Sequence, residues 1–267
     1  MSEPVHAGEY VAFGVGVRLL AESDELLMKM KLCVPWGTEL AACSQAKTFA
    51  LFQNGLRTGY RFLIGGEVAG ESARLEIILE QLTRELMVHV AEYAPHHVFV
   101  HAGVVGWKGL VVVMPGKSFA GKTTLVAELV HAGAAYYSDE YAVIDACGLV
   151  HPYARELQMR RAGTREQRGV NVTELGGVAA NEAGAVSHVV FTDYAKGACW
   201  EPVAISRGQA VLEMMRHTIA VQREPARVMT VLTKMMEHAN AVRSVRGKAG
   251  EVARWMMDAL SARGDSA

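Results

Sequence analysis

From Tyr10 to Glu71 the apolar residues fall in short alternating runs broken by glycine-bearing turns. This pattern predicts strands over Tyr10 to Leu20, Lys47 to Gln53 and Tyr60 to Val68, with Asn54-Gly55 and Gly65-Gly66 as turns or bulges. The period then changes. Leu75, Ile78, Leu79, Leu82, Leu86 and Val90 recur three and four positions apart, predicting a helix from a capping Ser72 to Tyr93, stopped by Pro95. Val98 to Val105 and Leu110 to Met114, joined through Gly106-Trp107-Lys108-Gly109, read as a hairpin. Leu125, Val126, Leu129 and Val130 return to helical spacing until Gly133. Ala134 to Ile144 and Ser187 to Thr192 read as further strands. Between them, Arg155 to Glu182 is polar, rich in Arg and Gly and without clear period, a candidate mobile substrate loop. Ser206 to Leu260 reads as helical: one segment through Ala220, one from a break near Pro225 to about Met236, and one from Lys248.

This order predicts an α/β chain in two parts. Residues 1–95 form a small β-rich α+β lobe with one long helix. Residues 96–267 form a mixed sheet flanked by helices and ending in a helical region.

One segment carries chemistry. Gly116-Lys117-Ser118-Phe119-Ala120-Gly121-Lys122-Thr123 fits the G-x-x-x-x-G-K-[ST] phosphate loop (P-loop, Walker A) and stands between an apolar strand and an amphipathic helix, where such a loop belongs. Its glycines let backbone N–H groups turn toward phosphate oxygens, and the helix N-terminus, with Thr124 in its first turn, adds positive potential. Lys122 would reach the β- and γ-phosphates of a nucleotide while the Thr123 hydroxyl holds Mg²⁺. Gly14-x-Gly16 imitates a dinucleotide motif but lacks a third glycine and a following helix.

The fate of the γ-phosphate depends on acids. Asp139 and Glu140 follow Lys122 by 17 and 18 positions, on a strand expected beside the loop, where one could serve as base and the other near the metal, in either order. Adjacent strand residues face opposite sides, so the two are not expected to be equivalent. Asp145, closing Tyr141-Ala142-Val143-Ile144, imitates a Walker B acid, but the following Ala-Cys-Gly reads as a turn that it would cap. His101 stands alone on an apolar strand.

Composition narrows the classes. With 267 residues, 51% hydrophobic and 21% charged, the chain can bury one large core or two smaller ones. A formal net charge of −1 gives no footprint for nucleic acid or an anionic membrane. No apolar stretch approaches a membrane span and Met1-Ser2-Glu3-Pro4 is no signal peptide, so a cytoplasmic protein is expected. Cys33, Cys43, Cys147 and Cys199 are widely spaced and are expected as reduced core thiols.

The order Val100-His101-Ala102-Gly103-Val104, Gly109 to Val113, the phosphate loop, then Ser138-Asp139-Glu140 resembles the catalytic domain of HPr kinase/phosphorylase and its HPr kinase-like relatives, over roughly Val98 to Leu175. The resemblance implies a P-loop kinase fold, ATP and Mg²⁺ as cofactors, and a serine hydroxyl of a peptide, protein or free amino acid as acceptor. It implies Asp139 as the base, His101 as its orienting partner and Glu140 as the metal-associated acid. Glu166-Gln167-Arg168-Gly169 matches a downstream signature in part, with Glu166 toward the metal and Arg168 toward the transferring phosphoryl group. It also implies a homo-oligomer. Phe119 replaces a customary glycine, Glu140 a second aspartate, and the first 95 residues do not resemble the regulatory domain of bacterial HPr kinases. Two other readings stand beside the kinase: a nucleotide-binding ATPase or switch using Asp145, and a regulator that binds nucleotide without transfer.

Overall fold

The computed structural model describes residues 6–53, 59–117, 120–160 and 167–264. The chain is mixed α/β and separates into two compact units, Met1–His96 and His97–Ala267.

In the first unit the expected strand over Tyr10 to Leu20 is two strands, β1 (His6–Ala12) and β2 (Val15–Ala21), paired antiparallel. Phe13 and Gly14 both hold positive φ, 49° and 79°, the backbone a two-residue hairpin turn requires, so this glycine serves a turn. A short helix absent from the sequence reading follows, α1 (Asp24–Lys31), its N-terminus capped by Ser23, whose side chain accepts from Leu26 N–H. It carries the chain to β3 (Glu39–Leu40) and to β4 (Lys47–Gln53), parallel to β2. β5 (Tyr60–Ile64) and β6 (Glu67–Ser72) form a second hairpin, turned at Gly65-Gly66, and complete a six-stranded sheet in the order β3-β1-β2-β4-β5-β6. Helix α2 (Leu75–Tyr93) buries Ile78, Leu82, Leu86 and Val90. Arg74, not Ser72, is its cap residue, and Ser72 Oγ instead accepts from Arg74 N–H outside the helix.

The second unit opens with β7 (His97–Trp107) and β8 (Leu110–Pro115), joined through Lys108 and Gly109 at φ 50° and 79°. After α3 (Lys122–His131) come β9 (Ala135–Ser138), β10 (Tyr141–Asp145) and β11 (Val150–His151). Arg155 to Glu182, expected as a loop, contains a hairpin of β12 (Leu157–Arg160) and β13 (Gln167–Val170) and a 3₁₀ turn over Val172–Leu175. Then follow β14 (Ala185–Tyr194), β15 (Val203–Ile205), α4 (Arg207–Met215), α5 (Pro225–Met235), β16 (Asn240–Arg246) and α6 (Ala249–Gly264). The C-terminal region is therefore not all helical. β16 lies inside the main sheet, whose order is β11-β10-β7-β8-β14-β16-β15, with β9 also on β7.

β8, β14 and β16 run parallel, and the loops at their carboxyl ends meet beside the phosphate loop. On one face α3 and α6 bury Leu125, Val126, Leu129, Val130, Val252 and Met256; on the other α4 and α5 bury Val211, Met214, Val228 and Leu232. Each such side chain stabilises by about 1.5–3 kcal/mol relative to exposure. Of the cysteines only Cys33 is buried; Cys43 is half-buried, and Cys147 and Cys199 are exposed, correcting the expectation of four core thiols. Among the described residues no helix is long and apolar enough to cross a membrane.

Candidate functional site

The buried strand β8 delivers the chain to Gly116, and Gly121 turns it into α3 with a left-handed φ of 81°. No side chain caps α3 and no acid stands in its first turn, so its leading N–H groups and their positive potential stay open. Lys122 curls back over the loop: its ammonium donates to the carbonyls of Gly116 and Lys117 at 2.9 Å each. Burial lowers its pKa to about 8, against the pull of Glu140 and Asp139. A second cation, unforeseen from sequence, closes the loop from the far side. Arg246, at the end of β16, is 3% exposed and donates Nη2 to Gly121 O at 2.8 Å, while its buried Nε has no hydrogen-bond partner among the described residues. Ser118 and Phe119 lie outside the described residues; Ala120 is half-buried and Thr124 exposed on α3.

Asp139 and Glu140 form the bend between β9 and β10, rather than sitting within one strand. Both strands pair with β7, so the acids lie one strand further from β8 than the sequence suggested. Buried Ser138 shapes the bend, its Oγ accepting from Glu140 N–H and Tyr141 N–H at 3.1 and 3.0 Å. The bend still reaches the loop. Asp139 Oδ2 accepts from Thr123 Oγ1 at 2.9 Å, and Oδ1 accepts from the buried phenol of Tyr136 at 2.9 Å. Glu140 is half-buried with Arg155 Nη1 at 3.6 Å. Burial pushes its carboxyl above the usual range, reinforced by Asp139 and opposed by Arg155 and Lys122.

His101 lies on β7 beneath the loop. Its N–H donates to His217 O at 2.8 Å, its carbonyl accepts from Gly116 N–H at 3.2 Å, and its ring stands 5.9 Å from that of Tyr141. Burial lowers its pKa to about 4, with Lys122 and His217 adding to the effect, so the imidazole is neutral at pH 7. Arg168 is exposed on β13 and pairs with Glu174 at 2.8 Å; Glu166 lies outside the described residues. Asp145 caps a turn: Oδ1 accepts from Cys147 N–H and Leu149 N–H at 2.8 and 3.0 Å, and Oδ2 meets His151 Nε2 at 2.8 Å.

Thus Lys122, Thr123, Asp139, Glu140 and His101 converge. Tyr136, Arg155, His217 and Arg246 join them without belonging to any spacing a sequence motif could reveal. Among the described residues no three His, Cys, Asp or Glu side chains gather as a metal cage. Thr123 with Asp139 nevertheless fits Mg²⁺, which takes few protein ligands and draws the rest from phosphate and water. No known family model matches the chain, and no curated protein matches it.

Proposed function

We propose that the chain is an ATP- and Mg²⁺-dependent kinase of the HPr kinase-like P-loop type, transferring the γ-phosphoryl group to a hydroxyl acceptor. The observation that carries this reading is the hydrogen bond from Thr123 to Asp139 beneath an uncapped helix N-terminus flanked by Lys122 and Arg246. Uncapped N–H groups, an ammonium and a buried guanidinium without an ion pair among the described residues suit a polyphosphate. Bound at Thr123 and Asp139, Mg²⁺ would neutralise charge across the phosphoryl oxygens.

The geometry favours roles opposite to those the resemblance implies for the acids. Both oxygens of Asp139 already accept hydrogen bonds, from Thr123 and Tyr136, which suits a carboxylate on the metal side. Glu140, with its raised proton affinity, suits the base. It takes the proton from the acceptor hydroxyl as that oxygen bonds to the γ-phosphorus and ADP departs. Neutral His101 orders the floor of the loop through its backbone. The switch reading with Asp145 as Walker B acid is disfavoured, since that side chain is spent on a turn and on His151.

Labelled ATP with a panel of hydroxyl acceptors tests the proposal. Glu140→Gln should cut transfer at least about a hundredfold while leaving ATP affinity within a few-fold. Asp139→Asn should instead raise the Mg²⁺ concentration needed for half-maximal rate. Full activity in Glu140→Gln would remove it as the base; ATP binding with no transfer to any acceptor would remove the kinase.

A further inference from the structure

The acids and the nucleoside end of a triphosphate belong on opposite sides of the phosphate loop, because the row of phosphates runs between them. Asp139 and Glu140 stand at the β9–β10 bend, on the β7 side of β8, and on the other side of β8 come β14 and β16. There a cavity of about 810 Å³ opens beside Gly121 and Thr124 at the start of α3, within the range of about 300–1,000 Å³ usual for small-molecule sites. Its wall includes Tyr194, the last residue of β14, and Arg246, the last of β16. The wall is built firmly. Ala195 N–H donates to Arg246 O at 2.9 Å, and a Cβ on Gly247 would collide with Ala198 O, so the loops after the two strands pack backbone to backbone. Tyr194 is nevertheless 59% exposed, with the Arg246 guanidinium over its ring, 5.8 Å from the centroid. With a buried cation on one face, the ring presents the other.

We propose that the nucleoside end of the nucleotide lies in this cavity and is held by the face of its base on Tyr194, so that adenine and guanine nucleotides bind nearly alike. The proposal rests on the nucleotide part of the kinase reading and extends it to the base. Arg246 is 3% exposed and has no ion pair among the described residues, so its charge supports the phosphates next to Gly121 while its position fixes Tyr194. The other charged side chains on the cavity, Lys196, Lys248 and Glu251, are exposed. Water competes with every hydrogen bond they could offer to a base edge, so reading of the edge is weak. Stacking needs only a π-face, which both purines have.

The test is calorimetric binding of ATP, GTP and inorganic tripolyphosphate, each with Mg²⁺, to the full chain in wild type, Tyr194→Ala and Tyr194→Phe. Tyr194 is exposed at a strand end, so both variants should fold, and intact tripolyphosphate binding reports that the loop has kept its shape. ATP and GTP should bind wild type within about threefold of each other. Tyr194→Ala should weaken both about tenfold or more and leave tripolyphosphate within about twofold, and Tyr194→Phe should restore both nucleotides. A preference of about tenfold or more for one purine, no loss in Tyr194→Ala, or an equal loss for tripolyphosphate would overturn the proposal. If none of the three binds wild type, the nucleotide reading falls and the proposal with it. The expected binding without transfer to any hydroxyl would remove the kinase and leave the base site standing.

Discussion

Titratable side chains around the loop are held away from their ordinary ranges. His101 is the simplest. Unfolded, it charges below about pH 6.5; folded, it stays neutral to about 4. Its contribution is therefore present above pH 6.5 and is lost as pH falls toward 4, by roughly 3 kcal/mol when fully titrated. His101→Gln should flatten the pH dependence of urea-unfolding free energy across that window; an unchanged slope would assign the acid sensitivity to other groups. Lys122 acts in the opposite part of the scale. Its pKa of about 8 in the nucleotide-free protein means that its charge is lost above that pH. kcat/KM for ATP should fall as pH rises past about 8, and the fall should disappear in Lys122→Arg, whose guanidinium stays charged.

Glycines separate local strain from packing at the level of elements. Gly109, in the β7–β8 turn, has φ 79° and open space around a would-be Cβ. Gly148, between β10 and β11, has φ 80°, but a Cβ there would meet Met235 N at 2.6 Å at the end of α5. Alanine at Gly109 should cost about 1–2 kcal/mol, the backbone penalty alone. At Gly148 it should cost at least about 2 kcal/mol more, since backbone must shift. Chemical denaturation of both variants gives the comparison, and equal losses would mean that the β10–β11 turn can move off α5.

The elements also show what local sequence could convey. β8, the phosphate loop and α3 were legible because a solid apolar run, a glycine pattern and a 3.6 period follow one another without interruption. Ser23 ahead of Asp24 and Glu25 is the helix-start signal of α1, whose eight residues are too few for a helical period to stand out. β16 was hidden for a physical reason. Asn240 to Arg246 exposes Asn240, Arg243 and Val245 and buries Ala241 and Arg246, so its local pattern is weak, and its identity as a strand comes from pairing with β14 and β15. Lys122, Thr123, Asp139, Glu140 and His101, all singled out from the sequence, stand together, whereas His217 and Arg246 stand on or beside elements that distant pairing positions. The roles proposed for Asp139 and Glu140 depend on a bend that no spacing reveals.

For the whole molecule, the phosphate loop, both acids and His101 belong to His97–Ala267, and the first unit has a core of its own in Leu19, Phe49, Leu51, Phe62 and Leu82. A chain restricted to 97–267 should therefore keep ATP binding within about tenfold of the full protein in a calorimetric titration. Loss of binding in a fragment that still shows native circular dichroism would place part of the nucleotide site in the first unit.

Arg246 holds the carbonyl of Gly121 from a position 125 residues downstream. A growing chain emerging from the ribosome thus presents its Walker A sequence long before it owns the side chain that braces it. Under the proposed function the brace on Gly121 arrives only with β16, the last strand in chain order, so a product truncated before Arg246 carries the motif without it.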